Sequence, residues 1–165
     1  RHHNPEFTLL EWYRPGFSSS QLMDEIAALL APELAGRAFQ RLGYAQAFER
    51  WVGVDPHRDD NASLRQRAGE AGLHRSLNPD DDRDTWLDLL LSHVLVPAIR
   101  GQGAVFLTDY PASQAALARI RDGDPPLADR FELFVDGVEL ANGFCELTDA
   151  DEQRQRFEAE NVQRV

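Results

Sequence analysis

From Glu6 the chain alternates in a period of two, with Phe7, Leu9, Glu11 and Tyr13 on one side and Glu6, Thr8, Leu10 and Trp12 on the other. Such alternation predicts a β-strand. Neither side is purely apolar, and a carboxylate and a phenol beside Phe7 and Leu9 suit the wall of a pocket better than a solvent face. The backbone groups of that strand need a neighbour, which is expected in chain outside this sequence. Pro15 and Gly16 then break the pattern. The serines at 18–20 offer an N-cap for a helix carrying Leu22, Ile26, Leu29 and Leu30. Further helices are predicted over 44–52 and, more weakly, over 62–71. The acidic run Asp80, Asp81, Asp82 and Asp84 precedes Trp86, Leu87, Leu90, Leu91, Val94 and Leu95. Negative charge suits a helix N-terminus, and Pro97 is expected to end that helix. Residues 104–108 read as a short apolar strand.

The sharpest local pattern is RFELFVDGVELANGFCELTDA, residues 130–150. Asp136-Gly137 between two alternating runs predicts a hairpin, because a two-residue type I′ turn needs positive φ at both positions. Pairing about that turn sets Val135 opposite Val138, Phe134 opposite Glu139, Leu133 opposite Leu140 and Glu132 opposite Ala141. Glu132 and Glu139 become diagonal neighbours on one face, roughly 7–8 Å apart at the backbone, able to converge on one divalent cation. Phe131, Leu133, Val135, Val138 and Leu140 form an apolar face assigned to the core. Thr148, with Asp151 three residues on, has capping-box spacing for a final helix.

Composition narrows the picture. The chain has 165 residues, 42% hydrophobic and 27% charged, enough for one globular domain with a sizeable core. No apolar run approaches the roughly 18 residues of a membrane span, so a soluble cytoplasmic protein is expected. A net charge of -11 and a pI near 4.8 oppose a broad nucleic-acid footprint. The single cysteine, Cys145, has no partner for an intrachain disulfide or a thiolate metal site and is expected to be a small buried residue. Two glutamates on a hairpin face are ordinarily solvated, His2 and His3 read as loop residues, and the aspartates around position 80 read as a helix start. Glu11 is harder to set aside, since a carboxylate on a mostly apolar strand face is costly to bury unpaired. Its natural partner is a cation, such as one carried by a ligand.

Two motifs together carry a family resemblance. HNPEFTLLEWY, residues 3–13, resembles the second half of motif 2 of class II lysyl-tRNA synthetases. ELANGFCELTDADEQRQRF, residues 139–157, resembles the segment before their motif 3. The resemblance covers nearly the whole chain and implies an α+β fold, part of the class II catalytic domain, with an antiparallel sheet flanked by helices over residues 1–165. Motif 1, the first half of motif 2 and motif 3 are not in this sequence, nor are the two arginines that the family uses around them. The family's Glu-x-Ser-Pro-Leu pattern is replaced by residues 112–117, and Val96 stands where relatives commonly carry glutamate. ELANGF, PASQ and EWYRP resemble the truncated paralogue group that attaches (R)-β-lysine to a lysine of translation elongation factor P.

The resemblance implies ATP and Mg2+ as cofactors, an aminoacyl-adenylate intermediate and a homodimeric parent. His3, Asn4, Glu6 and Phe7 would contact ATP, with Phe7 stacked on adenine. Glu132 and Glu139 would hold magnesium. Glu11, Tyr13, Ala141, Asn142 and Glu146 would receive the amino acid, lysine or (R)-β-lysine, with three acceptors around its side-chain ammonium. Strict alternation points Asn142 away from Glu139, so its role requires a bulge near residues 141–143. Ala141, where lysyl-tRNA synthetases usually have glycine, would reshape the pocket. Three functions stay open: the elongation factor P ligase, the core of a lysyl-tRNA synthetase acting on tRNA, and a domain that binds without reacting.

Overall fold

The computed structural model describes residues 6–73, 78 and 81–163. His2, His3, Asn4 and Asp80, all named above, lie outside the described residues. Ser18 caps helix α1 (Ser19–Leu30): its hydroxyl accepts from the Gln21 N–H, and the Gln21 side chain bonds back to the Ser18 N–H. This is the reciprocal box that satisfies two orphan donors at a helix start. Met23 and Ile26 are the buried positions of α1, whereas Leu29 stays exposed.

Strand β1 (Phe39–Gly43) was hidden by its central Gln40-Arg41. It leads into α2 (Tyr44–Ala47) and a π-helical turn, Phe48–Val52, which together form the expected second helix. Asp60 caps α3 (Asn61–Glu70) and Asp82 caps α4 (Arg83–Leu90), each accepting from a backbone N–H three residues on. The helix runs through a second π turn, Leu91–Leu95, into α5 (Val96–Ile99). Pro97 therefore does not end it. The change of bonding register just before α5 puts the proline in a first turn, where its missing donor is tolerated.

Strands β2 (Ala104–Pro111), β3 (Ile120–Arg121), β4 (Leu127–Val135) and β5 (Val138–Phe144) complete a five-stranded sheet. β1 runs parallel to β2, and every other pairing is antiparallel, so the sheet is mixed rather than purely antiparallel. β4 lies at its centre, with β2 along one edge and β3 and β5 along the other. The period of two sorts β2 and β4 onto two cores. Ala104, Phe106, Phe131, Leu133 and Val135 pack under α1. Val105, Leu107, Ala128 and Phe134 pack under the layer that contains Tyr44, Phe48, Trp86 and Leu90.

The opening segment is not a strand. Residues 7–14 have no assigned secondary structure and no described neighbour with which to pair, and a strand exists only through its ladder. It is anchored by side chains instead: the Trp12 indole donates to Glu25 at 3.1 Å, and Arg14 pairs with the same carboxylate at 2.7 Å. Helix α6 (Ala150–Gln163) is capped by Asp149, whose carboxylate accepts from the N–H groups of Asp151 and Glu152 at 3.0 and 2.9 Å, and not by Thr148. Cys145 is partly exposed rather than buried. No helix among the described residues is long and apolar enough to cross a membrane.

Candidate active site

The hairpin turn forms as the dipeptide predicts, with φ of 52° at Asp136 and 80° at Gly137. The register beyond it differs. Val135 faces Val138 and Phe134 faces Glu139, but Leu133 faces Ala141 and Glu132 faces Asn142, so Leu140 is an extra residue in β5. Directly opposed residues share a face. The bulge, one position earlier than expected, brings Asn142 onto the same face as Glu132 and Glu139 and turns Leu140 outward. Leu140 and Val138 are exposed, at 50% and 46%, and neither belongs to the apolar core face.

Ala141, opposite Leu133, packs against the cluster beneath α1. Its methyl group therefore lies on the other face of the hairpin from Asn142. Gly143 serves packing: a Cβ there would stand 2.3 Å from the Phe131 ring.

On the Glu132 face the sheet and α4 border an open cavity of about 590 Å³. Glu132 is the buried acidic residue at its floor, 7% exposed, and it is ion-paired with Arg130 two positions earlier on the same strand face. Arg130 also donates to the Gln114 carbonyl at 2.8 Å and lies 4.7 Å from the centre of the Tyr110 ring. Glu139 stands at the cavity mouth. Partial desolvation, and then repulsion from Glu132, push its carboxyl above the usual carboxylate range. Burial, with Glu132 nearby, likewise drives the Tyr110 hydroxyl far up.

The opposite wall belongs to α4. Asp84 and Asp88 are four residues apart and so share a helix face, and both line the cavity. Asp84 accepts from the Ser113 hydroxyl at 2.8 Å and Asp88 from the Gln114 amide at 2.9 Å. These bonds tie the 3-10 turn Ala112–Gln114 to the helix. Burial raises both aspartates above their ordinary values. Sequence reading missed Asp84, Asp88, Ser113, Gln114, Tyr110 and Arg130 as cavity residues. The available signals were the i, i+4 spacing of the aspartates and the i, i+2 spacing of Arg130 and Glu132.

Three of the other expected site residues gather elsewhere. The Tyr13 hydroxyl donates to Glu11 at 2.6 Å, and both side chains are exposed. Tyr13 titrates above its ordinary range, chiefly through that hydrogen bond, with Glu146 adding repulsion, so the three groups occupy one neighbourhood. Glu6 is exposed, and Phe7 is 77% exposed. No three His, Cys, Asp or Glu side chains among the described residues are arranged to hold a metal ion. Glu132 and Glu139 nevertheless fit magnesium: they are hard oxygen donors on one face, and their mutual repulsion is relieved by a cation between them. Mg2+ characteristically takes one or two carboxylates and completes its shell with phosphates and water.

Residues 1–164 match the family described as tRNA synthetases class II (D, K and N). The chain is 50% identical to the elongation factor P (R)-beta-lysine ligase of Sodalis glossinidius (strain morsitans). It is 49% identical to the Vibrio vulnificus (strain YJ016) protein of that name and 46% identical to the one from Salmonella heidelberg (strain SL476). Each alignment takes in 100% of this chain and 51% of the relative. The chain thus spans about half the length of the curated relatives it matches.

Proposed function

Because the chain belongs to the class II tRNA synthetases (D, K and N), we propose that it is part of an ATP-dependent ligase acting on translation elongation factor P. The ligase activates (R)-β-lysine, ahead of α-lysine, as an acyl-adenylate and passes the acyl group to a lysine side chain of the factor. The observation that carries this reading is 50% identity, without interruption of coverage, to a protein bearing that name. The shared hairpin face of Glu132, Glu139 and Asn142 supports it from the structure.

In this reading the substrate carboxylate attacks the α-phosphorus of ATP, and pyrophosphate leaves. Glu132 and Glu139 would hold magnesium, which would supply charge neutralisation at the phosphates. Arg130 fixes the Glu132 carboxylate, leaving Glu139 the freer of the two ligands. Glu11, Tyr13 and Glu146 hold the ammonium at the end of the amino-acid side chain, and Asn142 donates to or accepts from the bound acyl group. Glu6 and Phe7 serve the nucleotide, a role the resemblance also implies for His3 and Asn4. No side chain forms a covalent intermediate, so rate enhancement comes from positioning and electrostatics.

The test is pyrophosphate exchange by the full-length protein with each amino acid, followed by transfer to elongation factor P and to lysine tRNA. Preference for (R)-β-lysine with acylation of the factor is the expected result. Preference for α-lysine with charging of tRNA would overturn it in favour of a tRNA ligase.

A further inference from the structure

Four carboxylates, Asp84, Asp88, Glu132 and Glu139, line the cavity against one guanidinium, that of Arg130. Arg130 is paired with Glu132, and Glu139 stands beside that pair. Asp84 and Asp88 make no ion pair among the described residues.

Unfilled hydrogen-bonding capacity surrounds them. Gln114 gives its amide N–H to Asp88, which fixes the amide orientation because a carboxylate only accepts. Its Oε1 is left buried without a partner. The Tyr110 hydroxyl, on a residue 2% exposed that lines the same cavity, has no partner either. Arg130 Nε is buried without a partner too, but it lies on the Glu132 side, toward which the Tyr110 hydroxyl is also turned. A phosphate or carboxylate brings negative charge and only acceptors, so this wall repels it. A primary ammonium brings one positive charge and three donors, which matches two carboxylates and a free amide oxygen. Burial that raises both aspartates is the state such a cation would relieve.

We propose that the wall formed by Asp84, Asp88 and Gln114 binds a primary ammonium group of a lysine-type substrate, at a place separate from Glu11, Tyr13 and Glu146. The inference rests on the ligase reading above, whose reaction brings two candidates: the second amine of the donor amino acid and the side-chain amine of the acceptor lysine. With the acceptor there, the ammonium gives a proton to the carboxylate that holds it. Its nitrogen then attacks the acyl carbon, the bond from that carbon to the adenylate oxygen breaks, AMP leaves, and the amide nitrogen's extra proton passes to solvent.

Asp84→Asn and Asp88→Asn each keep one oxygen to accept from Ser113 or Gln114, while the charge is lost and the second carboxylate oxygen becomes an NH2 donor. Three rates of the full-length protein separate the possibilities: pyrophosphate exchange against amino-acid concentration, transfer to the lysine of elongation factor P, and hydroxamate formation with hydroxylamine. The last two are run at saturating amino acid, and hydroxylamine is a neutral nucleophile. About tenfold or greater loss is expected wherever an ammonium must bind, with hydroxamate formation unchanged. A raised KM for the amino acid in exchange identifies the donor amine as the occupant, whereas loss confined to transfer identifies the acceptor amine. Equal loss with hydroxylamine, or no change in any rate, overturns the site while leaving the ligase reading standing. Absence of exchange by the unaltered protein with any lysine-type amino acid overturns the ligase reading and the site with it.

Discussion

Glu132 on β4 stands directly opposite Asn142 on β5, and it does so only because Leu140 is skipped in the ladder. Uniform alternation would place Ala141 there and send the Asn142 amide to the far face. One extra residue thus decides which polar groups meet above the hairpin, and the displaced Leu140 side chain goes to solvent.

The packing beneath this bulge is tight at Gly143. Gly143→Ala places a methyl group against the Phe131 ring, well inside contact distance, in a core already closed by α1. Overpacking of this kind typically costs about 1–3 kcal/mol, and urea denaturation should show a lower midpoint by that amount. An unchanged midpoint would mean that Phe131 swings aside freely.

Glu139 and Glu132 should respond differently to loss of charge. Glu139→Gln removes a carboxylate that is disfavoured by partial burial and then by Glu132, so melting should hold or rise while the magnesium needed for half-maximal exchange increases. Glu132→Gln strands the Arg130 guanidinium, only 19% exposed at its side chain, without its partner. Breaking a buried pair from one side costs on the order of 3–5 kcal/mol, so this variant should lose stability as well as metal response. Identical melting curves for the two would contradict the pairing.

The raised aspartates predict a pH trend of defined sign. The folded pKa of Asp88 lies above its ordinary value of 3.8, first through burial and then through Asp84 and Glu132, with Arg130 opposing. The neutral form is thus favoured by folding. Its stabilisation is fully present below pH 3.8 and is lost as pH rises through the folded value. Asp88→Asn keeps a neutral group throughout, so its melting temperature should exceed that of the unaltered protein at neutral pH. The gap should narrow as pH falls toward 3.8. A gap that widens on acidification would reverse the assigned sign.

At the second cluster, Glu146→Gln or Glu11→Gln should raise the KM for the amino acid in pyrophosphate exchange, with little change in the KM for ATP. Hydrogen bonds to charged groups are worth about 1.5–3 kcal/mol, which corresponds to roughly a 10- to 100-fold effect. Tyr13→Phe removes a neutral partner and should cost less than either glutamate. A shift below threefold for both glutamates would remove the ammonium from this cluster.

Local chemistry was decided by the sequence alone wherever the governing interaction is short in range. Ser18 capping α1, the Asp82 start of α4 and the positive-φ turn at Asp136-Gly137 each depend on contacts within four residues, and all were legible. The long motifs likewise carried the family, whose match spans residues 1–164. What the sequence could not fix are outcomes of pairing between distant segments. β1 became a strand because β2 lies parallel beside it, although its centre is polar. The segment beginning at Glu6 alternates as a strand should, yet it has no described neighbour to complete a ladder. The position of the bulge followed from fitting Leu133 and Ala141 into the core under α1 and Gly143 beneath Phe131. The cavity arose where α4, the turn after β2 and the β4–β5 hairpin converge, residues numbered from 84 to 139 and adjacent in space. Periodicity assigns each side chain a face of its own element, but only the packing of elements determines which faces enclose a common volume.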